Sequence, residues 1–237
     1  MESPSRVSVY IDGFNVYYAL FKRNRKSCSP RDKWLNYRLL AESLLAPHEI
    51  LHHVHYFTAV VHRSDIDPEQ NLRQETFFRA LRTIPALTIH YGKHIPVERT
   101  GRLSKPDPAS LGLWPAQRVT ISTFEEKGTD VNLATSVLED SHSGKISHAI
   151  IISNDTDLIA PLKAARTRIR VSVISPDQSL SGELRKSVDG AGILDHTKLS
   201  AFRLPVPVID RNGAAIYPPL SWQTDDWPRR LDDDESL

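Results

Sequence analysis

The stretch from Ser147 to Lys163, SHAIIISNDTDLIAPLK, decides the fold. Ala149, Ile150, Ile151 and Ile152 form an unbroken apolar run, too short for an ordinary helix and rich in β-branched residues, which predicts a strand buried on both faces. Ser153-Asn154-Asp155-Thr156-Asp157 breaks that pattern. Leu158, Ile159, Leu162 and Ala165 then recur at helical spacing, with Pro161 in the first turns, where its missing N–H is best tolerated. Strand, acidic elbow and helix together set Asp155 and Asp157 at the carboxyl end of a parallel strand, where open α/β sheets bind their ligands.

The flanking sequence repeats this alternation. Val7, Val9 and Ile11 alternate along a first strand that ends in Asp12-Gly13-Phe14-Asn15, and Val16 to Phe21 opens a helix. A second helix is expected over Tyr37–Leu45, stopped before Pro47, and a strand over Ile50–Val61. Asp67 as cap and Pro68 at the first helical position predict a helix continuing to Thr83, followed by a strand over Leu87–Ile95. Prolines and glycines from Pro96 to Pro115 predict a long irregular loop that helps shape a substrate groove. Arg118–Phe124 alternates as a half-solvated strand; Glu125 to Asp130 then leads into a helix with Val131, Leu133, Ala134, Val137 and Leu138 on one stripe. A buried strand over Ile169–Ile174 and a short helix over Leu180–Lys186 follow. This order predicts a three-layer α/β/α sandwich with a mainly parallel central sheet. Residues 1–200 are expected to form that domain, and residues 201–237 a partly packed C-terminal extension with a loosely held end.

Composition narrows the functional classes. The chain has 237 residues, 40% hydrophobic and 25% charged, and no apolar run approaches the roughly 18 to 20 residues of a membrane span. The start carries no signal-peptide pattern, and Cys28 is the only cysteine, so a disulfide framework is excluded and a cytoplasmic protein is expected. A net charge of +1 points to no polyanion by itself, so any nucleic-acid argument rests on local clusters.

Asp12, Asp130, Asp155 and Asp157 all fall at strand ends or helix starts that a parallel sheet gathers on one rim. Two like charges 4 Å apart repel by about 1 kcal/mol in water and about 4 kcal/mol at an effective dielectric of 20. Such a cluster therefore favours protonation or a bound cation, and hard oxygen ligands suit Mg²⁺ or Mn²⁺. The chemistry that follows is metal-assisted hydrolysis of a phosphodiester. Each aspartate has a plainer role as a helix or turn cap, and Asn15 as the cap of the helix it opens. Four separate caps, however, have no need to share one rim.

VYIDGFN, EEKGTDVNLA and IIISNDTDL together resemble the NYN domain of the PIN-like nuclease superfamily. KWLNYRLLAE, YFTAVV, RQETFFRAL and IHYGKHI resemble its bacterial single-domain members in the same order. The resemblance implies a PIN-like fold and a Mg²⁺- or Mn²⁺-dependent ribonuclease, cutting RNA with Asp12, Asp130, Asp155 and Asp157 as catalytic and metal-binding residues and Asn15 in support. It also suggests a homodimer. It departs at Asn132 and Ser136, where many relatives carry a further aspartate, which leaves one or two metals open.

Lys22, Arg23, Arg25, Lys26, Arg31 and Lys33 form a basic stretch beyond the first helix that could track an RNA backbone; its first four residues, with Lys127, Lys163 and Arg166, are candidate RNA contacts, and a solvated surface is their plainer reading. His52, His53 and His55 read as ordinary strand histidines, since alternation separates His52 from the other two. Two other classes compete with the enzyme. One is a catalytically silent RNA-binding or protein-interaction module on the same fold. The other is a phosphatase, which lacks here a second aspartate two residues after Asp12.

Overall fold

The computed structural model describes residues 4–23, 25–62, 67–102 and 118–225. β1 (Ser5–Asp12) runs straight into α1 (Gly13–Tyr18), which continues as a π-helical turn, Ala19–Arg23. Asn36 caps α2 (Tyr37–Glu42) through the N–H groups of Arg38 and Leu39, and β2 (Glu49–Thr58) follows. Next come α3 (Gln70–Leu81), β3 (Leu87–Tyr91), β4 (Lys93–Arg102), β5 (Arg118–Lys127) and α4 (Thr129–Ser143). The second half holds β6 (His148–Ile152), α5 (Ile159–Ala165), β7 (Arg170–Ser175), α6 (Gly182–Ser187) and β8 (Gly190–Ile193). A small antiparallel pair, β9 (Val208–Ile209) and β10 (Ala215–Ile216), comes last.

Six strands form one parallel sheet in the order β3-β2-β1-β6-β7-β8. The chain winds outward from β1 to β3, then returns to lay β6 on the other side of β1. The strand order therefore reverses between β1 and β6, which opens a crevice at their carboxyl ends. Asp12 ends β1 there, and Ser153-Asn154-Asp155 leaves β6 beside it.

Alternation along the central strands feeds two cores. Val7, Val9, Ile11, Ile150 and Ile152 face one side, where they meet Val16, Leu20, Leu40, Phe77 and Phe78 from the first three helices. Tyr10, Ala149 and Ile151 face the other, against Leu133, Val137, Leu162 and Leu184 of α4, α5 and α6. This is the three-layer sandwich expected from the sequence. Leu204, Val208, Ile216 and Trp222 of the C-terminal stretch join the first core, and Asp32 ties that stretch down through Arg203 at 2.8 and 3.0 Å.

Three local expectations need correction. Asp67 does not cap α3: its carboxylate pairs with Arg73, and the helix begins at Gln70 after Glu69, which makes no side-chain cap. The strand expected through Ile95 leaves the main sheet at Gly92, whose N–H donates to Thr58 O at 2.7 Å. A Cβ at Gly92 would lie 2.5 Å from Thr129 Oγ1 and 2.9 Å from Lys127 O, so only glycine lets the chain pass the start of α4. Beyond it, Pro96 and Gly101 lie in a two-stranded ribbon of β4 and β5 rather than in an irregular loop. A ribbon strand has one unpaired edge, so Pro96 needs no N–H there. The rest of that expected loop, residues 103–115, and the chain after Asp225 lie outside the described residues.

Candidate metal-binding active site

Asp12 is buried, 3% exposed, and both of its oxygens are engaged. Oδ1 accepts from Asn15 N at 2.9 Å, which caps α1, and Oδ2 accepts from Ser153 Oγ at 2.9 Å. Asn15 Oδ1 accepts in turn from Asn154 N at 3.1 Å, so a single asparagine ties the end of β1 to the end of β6. Gly13 makes the turn possible. A Cβ there would lie 2.6 Å from Phe57 O and 2.8 Å from the Tyr56 ring and hydroxyl.

Ser153 also organises Asp155, whose N–H donates to Ser153 Oγ at 3.1 Å. Asp155 Oδ1 then accepts from Asp157 N at 2.9 Å, capping the 3₁₀ turn Thr156–Leu158 that leads into α5. Asn154 fastens this elbow to the loop after β7, donating to Ser179 O and accepting from Ser181 N. Asp130 arrives from the third direction. Gly128 adopts φ 93°, a left-handed turn that favours glycine, and Glu126 accepts from the backbone N–H and hydroxyl of Thr129, fixing the first turn of α4. Among the described residues the Asp130 carboxylate accepts no hydrogen bond, and its place in the first turn of α4 puts it at the positive end of the helix dipole.

One carboxylate oxygen from each of Asp12, Asp130 and Asp155 lies within 4.8 Å of the others. Burial, then the charges of Asp130 and Asp155, outweigh the two hydrogen bonds and push the Asp12 carboxyl up to about 6. Burial also raises Asp130, followed by Asp155, Glu126 and Asp157. A divalent cation would relieve both, and three hard oxygen donors partly open to solvent suit Mg²⁺ or Mn²⁺ with retained waters. Such an ion fits the residues present.

Asp157 stands outside the triangle. It is exposed and acts on Asp130 through its charge. Of the basic candidates, Lys22 and Lys26 are exposed, Arg23 pairs with Asp177 at 3.0 Å and Lys127 with Glu125 at 2.8 Å. Lys163 is exposed on the last turn of α5. Arg166 pairs at 2.7 Å with Asp189, which also accepts from Val171 N at the start of β7, so Arg166 lies at the sheet's opposite end from the acidic residues. The Arg25 side chain lies outside the described residues. Sequence reasoning gave no role to Ser153 or Glu126, although each sits inside a quoted motif, one residue after a strand and three before a helix. His53 and His55 share one face of β2, as alternation requires, and pack on each other, with His55 also against His90, rather than on the acidic site.

An open parallel sheet with an acidic triangle at its switch point fits a PIN-like domain of nuclease type. The chain belongs to the NYN domain family, whose sequence profile matches residues 6–195. A protein of unknown function from Vibrio parahaemolyticus has a similar solved structure, with a TM-score of 0.50 and 17% identity over 86% of this chain and 100% of that one, a likeness of fold alone. The 6-hydroxy-3-succinoylpyridine 3-monooxygenase HspA of Pseudomonas putida is 29% identical over 198 residues, 73% of this chain. The chain covers 60% of that relative's length. Among the described residues no helix is long and apolar enough to cross a membrane.

Proposed function

We propose that the protein is a metal-dependent ribonuclease that hydrolyses phosphodiester bonds of cytoplasmic RNA at the carboxyl rim of its sheet. The convergence of Asp12, Asp130 and Asp155 within 4.8 Å, in a chain of the NYN family, carries this reading. These three residues hold Mg²⁺ or Mn²⁺. The bound ion supplies Lewis acidity at a phosphoryl oxygen and an acidified water. Ser153 and Asn15 fix the carboxylates through the bonds they make to Asp12, Asp155 and Asn154, so little reorganisation is needed when substrate arrives. Asp157 adds negative charge at the rim and acts from outside the triangle. Lys22, Arg23, Arg25, Lys26, Lys127 and Lys163 draw the RNA backbone in, which makes binding salt-dependent. Arg166 has no part in this reading because of its position.

The test is cleavage of labelled single-stranded and structured RNAs, with matched DNA, by wild type and Asp155→Asn in Mn²⁺, Mg²⁺ and chelator. Cutting that needs metal and vanishes in the variant is the expected result. RNA retained without cutting under any condition leaves a silent binding module on a nuclease fold. A second reading, oxygenation of a small heteroaromatic acid, is favoured by the name of the Pseudomonas relative. Oxygen uptake with 6-hydroxy-3-succinoylpyridine and a two-electron donor such as a reduced nicotinamide, which reduces the second oxygen atom to water, decides between them.

A further inference from the structure

Beside the acidic rim lies a cavity of about 400 Å³, within the size range of small-ligand pockets. Gly13, the residue directly after Asp12, forms part of its lining, so the cavity and the acidic site share a wall. Tyr17, Phe77 and Trp222 give it aromatic walls from α1, α3 and the C-terminal stretch, with Phe77 and Trp222 edge to face at 5.9 Å. Tyr37 and Tyr56 stack 4.7 Å apart behind them. Lys22 and Lys33 also line it, each ammonium 5.8 Å from the Tyr17 ring centre, and Lys33 stands 5.6 Å from that of Trp222.

Aromatic walls select a planar ring, and two ammonium groups beside them select an anion attached to that ring. Arg73 also lines the cavity, where Asp67 and Glu69 pair with it. A ring joined to a phosphate a few bonds away is the chemistry of a nucleotide, and aromatic platforms take bases with little regard to sequence. We propose that this cavity receives one unstacked base of the RNA strand, with Lys22 and Lys33 meeting its phosphate, and so presents the neighbouring phosphodiester to the acidic triangle. The inference rests on the ribonuclease reading for the identity of the strand, but not for the pocket's affinity for nucleotides.

The test is calorimetric titration of the full chain, in chelator, with each of the four nucleoside 5′-monophosphates and with ribose 5-phosphate as the base-less control. At least one monophosphate is expected to bind about tenfold or more tighter than ribose 5-phosphate, the contribution of one stacked base. Ser221 is an exposed residue of the lining, so Ser221→Trp should obstruct the cavity without loss of Tm, and Lys33→Glu should reverse its charge. Each is expected to weaken monophosphate binding by about fivefold or more. Equal affinity for ribose 5-phosphate, or unchanged binding in both variants, overturns the proposal. So does a free heteroaromatic acid such as nicotinate binding tighter than every monophosphate. Because no metal or turnover is involved, the two readings fail separately: a chain that binds monophosphate but cuts no RNA keeps the pocket and loses the ribonuclease, whereas a chain that cuts RNA but binds no monophosphate does the reverse.

Discussion

Replacing Asp12 with asparagine should stabilise the metal-free protein. Asp12 is 3% exposed, and its carboxyl is raised from an ordinary 3.8 to about 6, first by burial and then by Asp130 and Asp155. A folded-state value above the unfolded one means that the native protein keeps a proton the unfolded chain has already released between those two pH values. Stability is therefore full below about pH 4, falls as pH rises through about 6 and stays reduced above it. A difference of roughly two pH units corresponds to about 3 kcal/mol, since each unit is worth about 1.36 kcal/mol. Asparagine removes that charge and can still accept from Asn15 N, while Ser153 Oγ can turn to accept from its amide. In chelator at pH 8, Asp12→Asn should melt above wild type by up to roughly 6–12 °C, at roughly 2–4 °C per kcal/mol for a domain of this size. The gap should close near pH 4. Mn²⁺ should stabilise wild type alone, nearly closing the gap at a hundredfold excess over Kd, about 2.7 kcal/mol, and reversing the order at a thousandfold excess, about 4.1 kcal/mol. Thermal melts of both proteins across pH 4–8, with and without Mn²⁺, make the comparison. An asparagine variant no more stable than wild type in chelator at pH 8, or a gap that ignores pH, would refute the electrostatic account of the site.

Asp157→Asn should lower RNA cleavage far less than Asp155→Asn in parallel rate measurements, because Asp157 lies outside the carboxylate triangle; equal losses would place it inside. Gly13→Ala should destabilise the fold by about 1–3 kcal/mol in urea titration, since the new methyl meets Phe57 O at 2.6 Å, and should abolish cleavage by displacing Asp12. His55 is held down to about 4 by burial first and by His53 next, with Asp140 opposing, so the unfolded chain takes up its proton first as pH falls. Its contribution is present above about pH 6.5 and lost towards pH 4, up to about 3 kcal/mol, and His55→Gln should flatten that part of the wild-type acid titration.

The fold was legible wherever burial imposed a period. Ile150 and Ile152 enter one core and Ala149 and Ile151 the other, as a doubly covered parallel strand demands, and the elbow after it could be placed from that run alone. The meeting of Asp12 with Asp155 follows from the same topology, because β1 and β6 are neighbours across the switch point. Side-chain direction was not legible. Asp157 sits only two residues beyond Asp155, yet the 3₁₀ turn points it elsewhere, and α5 carries Arg166 to the far end of the sheet. The β4–β5 ribbon was hidden because Pro96 and Gly101 signal a loop wherever strand edges are assumed to be paired. β8 was hidden for another reason: Gly190 and Gly192 carry no apolar signal, and a Cβ on Gly190 would lie 2.4 Å from Ser172 Oγ. Tyr17, Tyr56, Phe77 and Trp222 line one cavity from four distant parts of the chain, and no local pattern joins them.

In the proposed reaction Asp12, Asp130 and Asp155 would hold the ion that activates water for attack on RNA. Its most direct test is cleavage of a defined RNA oligonucleotide in ¹⁸O-labelled water with Mn²⁺, followed by mass spectrometry of the products. One ¹⁸O in the newly formed terminal phosphate, with no product from Asp155→Asn or in chelator, is the predicted result. Unlabelled 2′,3′-cyclic phosphate ends, or cleavage that survives the chelator, would contradict it.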